Sequence, residues 1–183
     1  RGQAGIQSDG STSLDPHLGK NDMPVNLVQQ SYQLLTNPAV LMQLLPQLKA
    51  GFAIDTETTG LLPLYVQMVG LSFSFKKGEA HYIPLRHRAL TDAERKGAQA
   101  CFDLLKPLLE DESVPKIGHN AKFEVEVLYT EGVDARGFVF DTMIASYLCD
   151  ASRSHGLKFL AQSELDVTMT ELDELIGSGK KQM

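Results

Sequence analysis

The chain has 183 residues and a net charge of −6, from 17 Lys and Arg against 23 Asp and Glu. This length suits one globular domain with a tail, and 43% apolar with 22% charged residues excludes a fibrous or wholly disordered chain. The acidic balance argues against a protein that wraps nucleic acid by charge alone, but leaves open an enzyme that meets nucleic acid at a small metal site.

The first predicted segment is a linker. Residues 1–24 are rich in Gly, Ser, Asp and Pro and contain hardly any apolar residue, so they cannot bury enough surface to offset the entropy of ordering. We therefore expect a disordered linker over residues 1–24 and a folded domain over residues 25–183. The chain starts at Arg1 and stops at Met183 without a closing element, so we expect the domain to be truncated at its C-terminal end.

The N-terminal half of the domain is predicted to be rich in strands. Asn37 and Pro38 supply an N-cap and a first-turn proline for one helix. The expected elements are strands at 32–35, 51–57, 66–75 and 80–85 and a helix at 39–48. Because Lys77 and Gly78 form a tight-turn signal between the last two strands, we expect those strands to pair antiparallel.

The C-terminal half alternates between helix and strand. Thr91 and Glu94 form a capping box that opens a helix, and we expect Pro107 to end or kink that helix. The later elements are predicted as strands at 114–117 and 139–140 and helices at 120–131, 142–149, 157–163 and 171–176. Three successive strands followed by this alternation predict an α/β fold, with a mixed sheet of three antiparallel strands and then parallel strands, flanked by helices.

The cysteine and hydropathy patterns indicate the cellular compartment. Cys101 and Cys149 lie far apart in the chain and match no metal-ligand spacing, which favours two reduced thiols. No apolar run approaches the roughly 18 residues that cross a bilayer, and the first 25 residues lack the apolar stretch of a signal peptide. We expect a cytoplasmic protein that makes no membrane contact.

The sharpest chemical feature is the pair Asp55 and Glu57. Residues two apart on a strand project to the same face, so the two carboxylates stand together while Ile54 and Thr56 face the other way. Neighbouring carboxylates repel each other, and a hard divalent cation such as Mg²⁺ or Mn²⁺ relieves that repulsion. The alternative is a solvated strand end whose acids only hydrogen-bond the following loop.

Glu124 is the third acidic candidate. It lies four residues after Asn120 on a predicted helix, and its face of that helix continues through Val127 and Leu128, so it is expected to point inward. An inward acid needs a partner, and a metal shared with Asp55 is one candidate. The alternative is an acid that stabilises the N-terminal end of its helix.

Four motifs in order resemble one known family. They are FAIDTETTGL at 52–61, HYIPL at 81–85, IGHNAKF at 117–123 and FDTMIASYL at 140–148. Together they are similar to the 3′–5′ exonuclease (proofreading) domain of bacterial DNA polymerase I, one of the DEDD exonucleases, which have a ribonuclease H-like fold. The resemblance covers roughly residues 30–183.

The resemblance implies hydrolysis of the 3′-terminal phosphodiester of DNA by a two-metal mechanism, in replication and repair. Asp55 would bridge two divalent cations, Mg²⁺ or Mn²⁺, and Glu57 would bind one of them and position the attacking water. Glu124 would take the position of the family's third acid. Two such cations stabilise both the attacking and the leaving oxygen of an in-line displacement.

The resemblance also implies a set of DNA-binding residues. Thr58 and Leu61 would lie against the 3′-terminal nucleotides, with Leu61 wedged against a base. Asn120, Lys122 and Phe123 match positions along the single-strand path, and an amide, a cation and an aromatic ring suit that task. Lys122 as a solvated charge and Phe123 as a core aromatic are the alternatives.

Two departures from the family pattern affect the expected activity. The family normally has Asp where this chain has Glu124, and a displacement of about 1 Å can cost on the order of a hundredfold in rate. The family's fourth acid and its neighbouring tyrosine fall beyond Met183, so we expect feeble activity or none from these residues alone. Asp141 belongs to the resemblance as the N-cap of the helix that starts at Thr142.

Two other functions stay open from the sequence. One is a catalytically inactive exonuclease-like domain that supports a polymerase or guides DNA. The other is a 3′–5′ exoribonuclease of the ribonuclease D type, which would differ in substrate rather than mechanism. For the first-choice function, the expected partners are the single-stranded 3′ end of DNA and a polymerase domain C-terminal to this one, in a monomeric protein.

Overall fold

The computed structural model describes residues 31–170, which fold into one mixed sheet flanked by helices. The strands are β1 (Ser31–Leu34), β2 (Phe52–Thr58), β3 (Met68–Ser74), β4 (Glu79–Pro84), β5 (Lys116–Gly118) and β6 (Phe138–Asp141). The helices are α1 (Pro38–Leu48), α2 (Asp92–Glu110), α3 (Ala121–Thr130), α4 (Thr142–Cys149) and α5 (Leu157–Leu165), with a short 3₁₀ helix at Pro63–Tyr65.

The strand order across the sheet is β1-β4-β3-β2-β5-β6. β2, β3 and β4 pair antiparallel, whereas β5 pairs parallel with β2 and β6 pairs parallel with β5. The predicted order of three antiparallel strands followed by parallel ones is confirmed. β1 lies at one edge and pairs parallel with β4, a position that the sequence pattern does not predict.

The helix ends follow the local sequence signals. The Asn37 side chain accepts a hydrogen bond of 3.0 Å from the Ala39 N–H, and Pro38 occupies the first turn of α1. The capping box of Thr91 and Glu94 opens α2 as predicted. Gly132 follows α3 with φ +74°, a left-handed conformation that glycine adopts without steric cost.

Pro107 does not end its helix, because α2 continues for three more residues to Glu110, and the alternative expectation, a kink at Pro107, stays a prediction. A proline inside a helix costs one backbone hydrogen bond. Burial of Leu105, Leu108 and Leu109 holds the last turn against the core, and each buried leucine contributes about 1.5–3 kcal/mol. Packing therefore overrides the local helix-breaking signal.

Other predicted boundaries shift by a few residues or lie elsewhere. The helix expected at 157–163 extends to Leu165. The helix expected at 171–176 and the linker expected over residues 1–24 lie outside the described residues.

One hydrophobic core lies against one face of the sheet. Phe52 and Ile54 of β2 point into it, together with Leu105 of α2 and Leu128 of α3. The alternate residues of β2 point to the opposite face, where Ala53 is exposed. The core therefore fixes which face of β2 remains accessible, and that face carries the two acids of the strand.

Candidate active site

Asp55 and Glu57 project from the accessible face of β2. Burial alternates along the strand, so that Ile54 and Thr56 are buried, Asp55 is half-buried and Glu57 is exposed. The predicted division of the strand into an acidic face and a core face is confirmed.

Electrostatics couples the two carboxylates. Burial, and to a lesser extent the negative charge of Glu57, together raise the pKa of Asp55 to about 6. A bound cation would offset both effects, because it compensates the lost solvation and separates the two negative charges. The donor set of carboxylate oxygens is the kind that hard divalent cations prefer.

Glu124 is buried, with 3% of its surface exposed, so its predicted inward orientation is confirmed. Burial raises its pKa to about 8, and the charges of Asp55 and Glu57 contribute in the same direction. The hydroxyl and the backbone N–H of Thr56 lie close enough to the carboxyl group to lower its pKa and offset part of this increase.

The described part of the chain does not assemble a complete ligand set. Within residues 31–170, no three Asp, Glu, His or Cys side chains converge closely enough to hold a metal ion. Asp55 and Glu57 project from one face of β2, whereas Glu124 lies beside Thr56, the buried residue between them. Its role as a third ligand stays a prediction, and so does the alternative that it stabilises the first turn of α3.

A groove of about 240 Å³ runs beside Asp55 and includes Ser72, His119 and Thr142 in its lining. His119 Nδ1 lies 2.9 Å from Thr142 Oγ1, and burial lowers the pKa of the imidazole. Sequence reasoning did not select His119. The parallel pairing of β2 and β5 could have identified His119, because the residue that follows β5 then lies near the acids of β2.

Two predicted DNA-binding residues lie at the end of β2. The Thr58 hydroxyl donates a hydrogen bond of 2.7 Å to the Gly60 carbonyl, which shapes the turn that leaves the strand. Leu61 follows in that turn with 90% of its surface exposed. An apolar side chain held this far into solvent is available to contact a ligand, and its contact with a base stays a prediction.

Asn120, Lys122 and Phe123 lie at the start of α3. Asn120 and Lys122 line a second groove, of about 640 Å³, between the start of α3 and α4. Lys122 is exposed and 4.0 Å from Glu126, and Phe123 is partly buried against the core. The structure thus places Asn120 and Lys122 together, in a groove separate from the one beside Asp55.

Asp141 joins the two helices that border this second groove. Its side chain accepts hydrogen bonds from Asn120 and Ala121 at the start of α3 and from Met143 and Ile144 in α4. Burial alone would raise its pKa, but these four N–H donors hold the pKa below its ordinary value. The predicted N-cap of α4 is confirmed, and the second cap on α3 is additional.

A model of the 3′–5′ exonuclease family matches residues 32–183. The chain belongs to the 3′–5′ exonuclease family. Its relatives include DNA polymerase I of Pseudomonas aeruginosa, which is 37% identical over 134 residues covering 72% of this chain and 15% of the relative. DNA polymerase I of Chloroflexus aurantiacus is 37% identical over 135 residues, which cover 73% of this chain and 14% of that protein. The chain thus spans about one seventh of the length of these two relatives.

Solved structures of other proteins share the fold. The POL domain of Pol1 from M. smegmatis, in complex with DNA primer-template and dNTP, has a TM-score of 0.58 and 26% identity over 76% of this chain and 23% of its own. Brucella melitensis NrnC with bound Mg²⁺ has a TM-score of 0.54 and 25% identity over 79% of this chain and 65% of its own. The predicted ribonuclease H-like fold is confirmed.

The comparisons also define the general chemistry. Members of the 3′–5′ exonuclease family are metal-dependent nucleases, and one of the structural neighbours was solved with Mg²⁺. Among residues 31–170, no helix has the length and apolar character needed to cross a bilayer.

Proposed function

We propose that this chain is the 3′–5′ exonuclease domain of a DNA polymerase and removes nucleotides from the 3′ end of DNA by metal-dependent hydrolysis. The observation that carries the proposal is the pair Asp55 and Glu57 on the accessible face of β2, in a chain of this family. The identity to DNA polymerases favours DNA over RNA as the substrate. A polymerase domain that follows this one, a monomeric state and a cytoplasmic location belong to the same proposal.

Asp55 and Glu57 would hold two divalent cations, Mg²⁺ or Mn²⁺, with Glu124 as a further ligand. When bound, the cations supply charge stabilisation to the attacking and leaving oxygens of phosphodiester hydrolysis. Asp55 would bridge the two cation positions because its half-buried carboxylate points into the groove between the strand and Thr142. Glu57, at the exposed end of the pair, would orient the attacking water.

The remaining predicted residues would hold the DNA strand. Leu61 would contact the terminal base and Thr58 the terminal nucleotide. Thr58 directly follows Glu57 on β2, and Leu61 lies in the turn that leaves the strand. Asn120 and Lys122 would contact the backbone of the preceding nucleotides from their shared groove, with Phe123 behind them. Contacts to phosphate position a strand without reading its sequence, as an exonuclease of broad specificity requires.

The test uses the full-length polymerase that carries this chain and single-stranded DNA labelled at its 5′ end. We expect a ladder of labelled products that shortens from the 3′ end with Mg²⁺ or Mn²⁺ and disappears with EDTA. An RNA strand of the same sequence should be degraded more slowly. Products released from the 5′ end, or products that persist in EDTA, would contradict the proposal.

A further inference from the structure

Tyr82 and His87 form a hydrogen-bonded pair beside the acidic face of the sheet. Tyr82 lies on β4, and its hydroxyl is 2.7 Å from His87 Nε2 in the loop that follows the strand. The two rings meet edge to face, with centroids 5.6 Å apart and an interplanar angle of 81°. Neither residue has a part in the function proposed above.

Strand pairing places this tyrosine one strand beyond the neighbour of the two acids, with β3 between β4 and β2. Asp55 pairs with Ser72 of β3, which pairs with Tyr82 of β4, so Asp55 and Tyr82 lie in one row across the sheet. Glu57 and Gly70 lie in the next row. Asp55, Glu57, Ser72 and Tyr82 share the accessible face, because they alternate with buried neighbours along their strands, and Gly70 lies on the same face but is itself buried.

Gly70 provides the space through which Tyr82 reaches that next row. A Cβ atom added to Gly70 would lie 1.9 Å from the Tyr82 hydroxyl oxygen and 2.3 Å from Cζ. The tyrosine ring therefore lies directly over the backbone of Gly70, the residue that pairs with Glu57. Any residue larger than glycine at this position would displace the hydroxyl.

The two residues that precede His87 are anchored by hydrogen bonds. The N–H groups of Leu85 and Arg86 donate to the Val69 carbonyl at 2.8 and 2.9 Å. The Arg86 guanidinium donates to Glu131 Oε2 at 2.8 Å and to the Met68 carbonyl. His87 is thus held in place against Tyr82 by contacts that its neighbours make.

The electrostatic environment keeps the tyrosine protonated. Burial raises the pKa of Tyr82 to about 12, and the negative charge of Glu57 contributes in the same direction. At neutral pH Tyr82 therefore keeps its hydroxyl proton.

We propose that Tyr82 is a positioning residue for Glu57 and that His87 orients its hydroxyl, an inference that rests on the proposed exonuclease function. When His87 Nε2–H donates to the Tyr82 oxygen, the tyrosine O–H is left to donate to the Glu57 carboxylate. Glu57 is exposed and has a flexible side chain, so a fixed donor restricts it to the orientation that a cation and the attacking water need. Loss of a residue that hydrogen-bonds a metal ligand commonly lowers metal affinity or activity about 10- to 100-fold.

The direct test is Tyr82→Phe in the full-length protein, with Tyr32→Phe as the matched control. Tyr32 also lies on this sheet, on the edge strand β1, and is exposed. We expect Tyr82→Phe to lower kcat for 3′ excision about tenfold or more and to weaken Mn²⁺ binding in calorimetry, while KM for DNA and the melting temperature stay unchanged. Unchanged kcat and unchanged Mn²⁺ affinity would overturn the inference.

Gly70→Ala provides a second, independent test. The added methyl group should displace the Tyr82 hydroxyl and reproduce the loss of Tyr82→Phe in otherwise normal protein. In a Tyr82→Ala background, Gly70→Ala should cause no further loss, because no hydroxyl remains to be displaced. Additive losses from the two substitutions would overturn the inference.

Asp55→Asn separates this inference from the proposed function. If Asp55→Asn abolishes excision but Tyr82→Phe changes neither kcat nor Mn²⁺ affinity, the positioning role fails alone. If Asp55→Asn leaves excision intact, the proposed function fails, and the inference about Tyr82 fails with it.

Discussion

Glu124 lies beside Thr56, whose side chain is buried on the core face of β2, whereas Asp55 and Glu57 project from the other face. Its pKa of about 8 means that burial favours the protonated, neutral form near neutral pH. To bind a cation together with Asp55, the carboxyl group would have to lose its proton.

Substitution of Glu124 tests its role as a ligand. Glu124→Gln keeps the shape of the side chain but cannot bind a cation as a carboxylate, so we expect it to lower the rate of 3′ excision about tenfold. Glu124→Asp should retain metal-dependent excision. The matched control is Glu126→Gln, on the outer face of the same helix beside Lys122. Normal excision by Glu124→Gln would show that Glu124 is only a buried structural acid.

Asp141 should be a strong determinant of stability. Asp141→Ala removes the acceptor for N–H groups at the starts of both α3 and α4. At about 1 kcal/mol for each cap, we expect the free energy of unfolding to fall by about 2 kcal/mol in urea titrations of the 183-residue chain. The control is Asp103→Ala, at an exposed position of α2, which should lower the free energy of unfolding much less. Equal losses from the two substitutions would rule out the double cap.

His81 should make stability depend on pH. Its ring lies between Phe73 and Phe75, with centroids 5.2 and 5.4 Å away, and neither ring nitrogen has a hydrogen-bond partner in the described residues. Burial lowers its pKa, and the charge of Glu79 offsets this in part. As the pH falls below about 6.5, His81 therefore becomes protonated in the unfolded state before it does so in the folded state. The free energy of unfolding consequently decreases toward acidic pH.

The measurement is the free energy of unfolding at pH 7.5 and pH 5.5. His81→Phe keeps an aromatic ring between the two phenylalanines and removes the titrating group, so the decrease toward pH 5.5 should become smaller. An identical decrease in both proteins would show that the pKa of His81 does not differ between the folded and unfolded states.

Much of the site could be predicted from local sequence because it depends on strand periodicity and helix caps. The alternation along β2 separates Asp55 and Glu57 from the core without any tertiary information. The caps at Asn37, Thr91 and Asp141 follow from side-chain chemistry within a few residues of each helix start. These features depend on local sequence alone, and they are present in the structure as predicted.

The features that sequence reasoning missed depend on tertiary packing. Pro107 stays inside α2 because buried leucines on both sides of it hold the last turn. The contact between Tyr82 and the row of Glu57 requires both the register of two hairpins and the glycine at position 70. The position of Glu124 beside Thr56 depends on how α3 packs under β2, which no local pattern specifies.

The central claim is that Asp55 and Glu57 hold the metal that makes this domain an exonuclease. It is tested most directly by Asp55→Asn in the full-length polymerase, assayed with Mg²⁺ on single-stranded DNA labelled at the 5′ end. Asp103→Asn is the matched control, and polymerase activity of the same preparation shows that the protein is intact. The account predicts that Asp55→Asn reduces 3′ excision to the level of a buffer-only reaction while both controls stay normal. Normal 3′ excision by Asp55→Asn would contradict it.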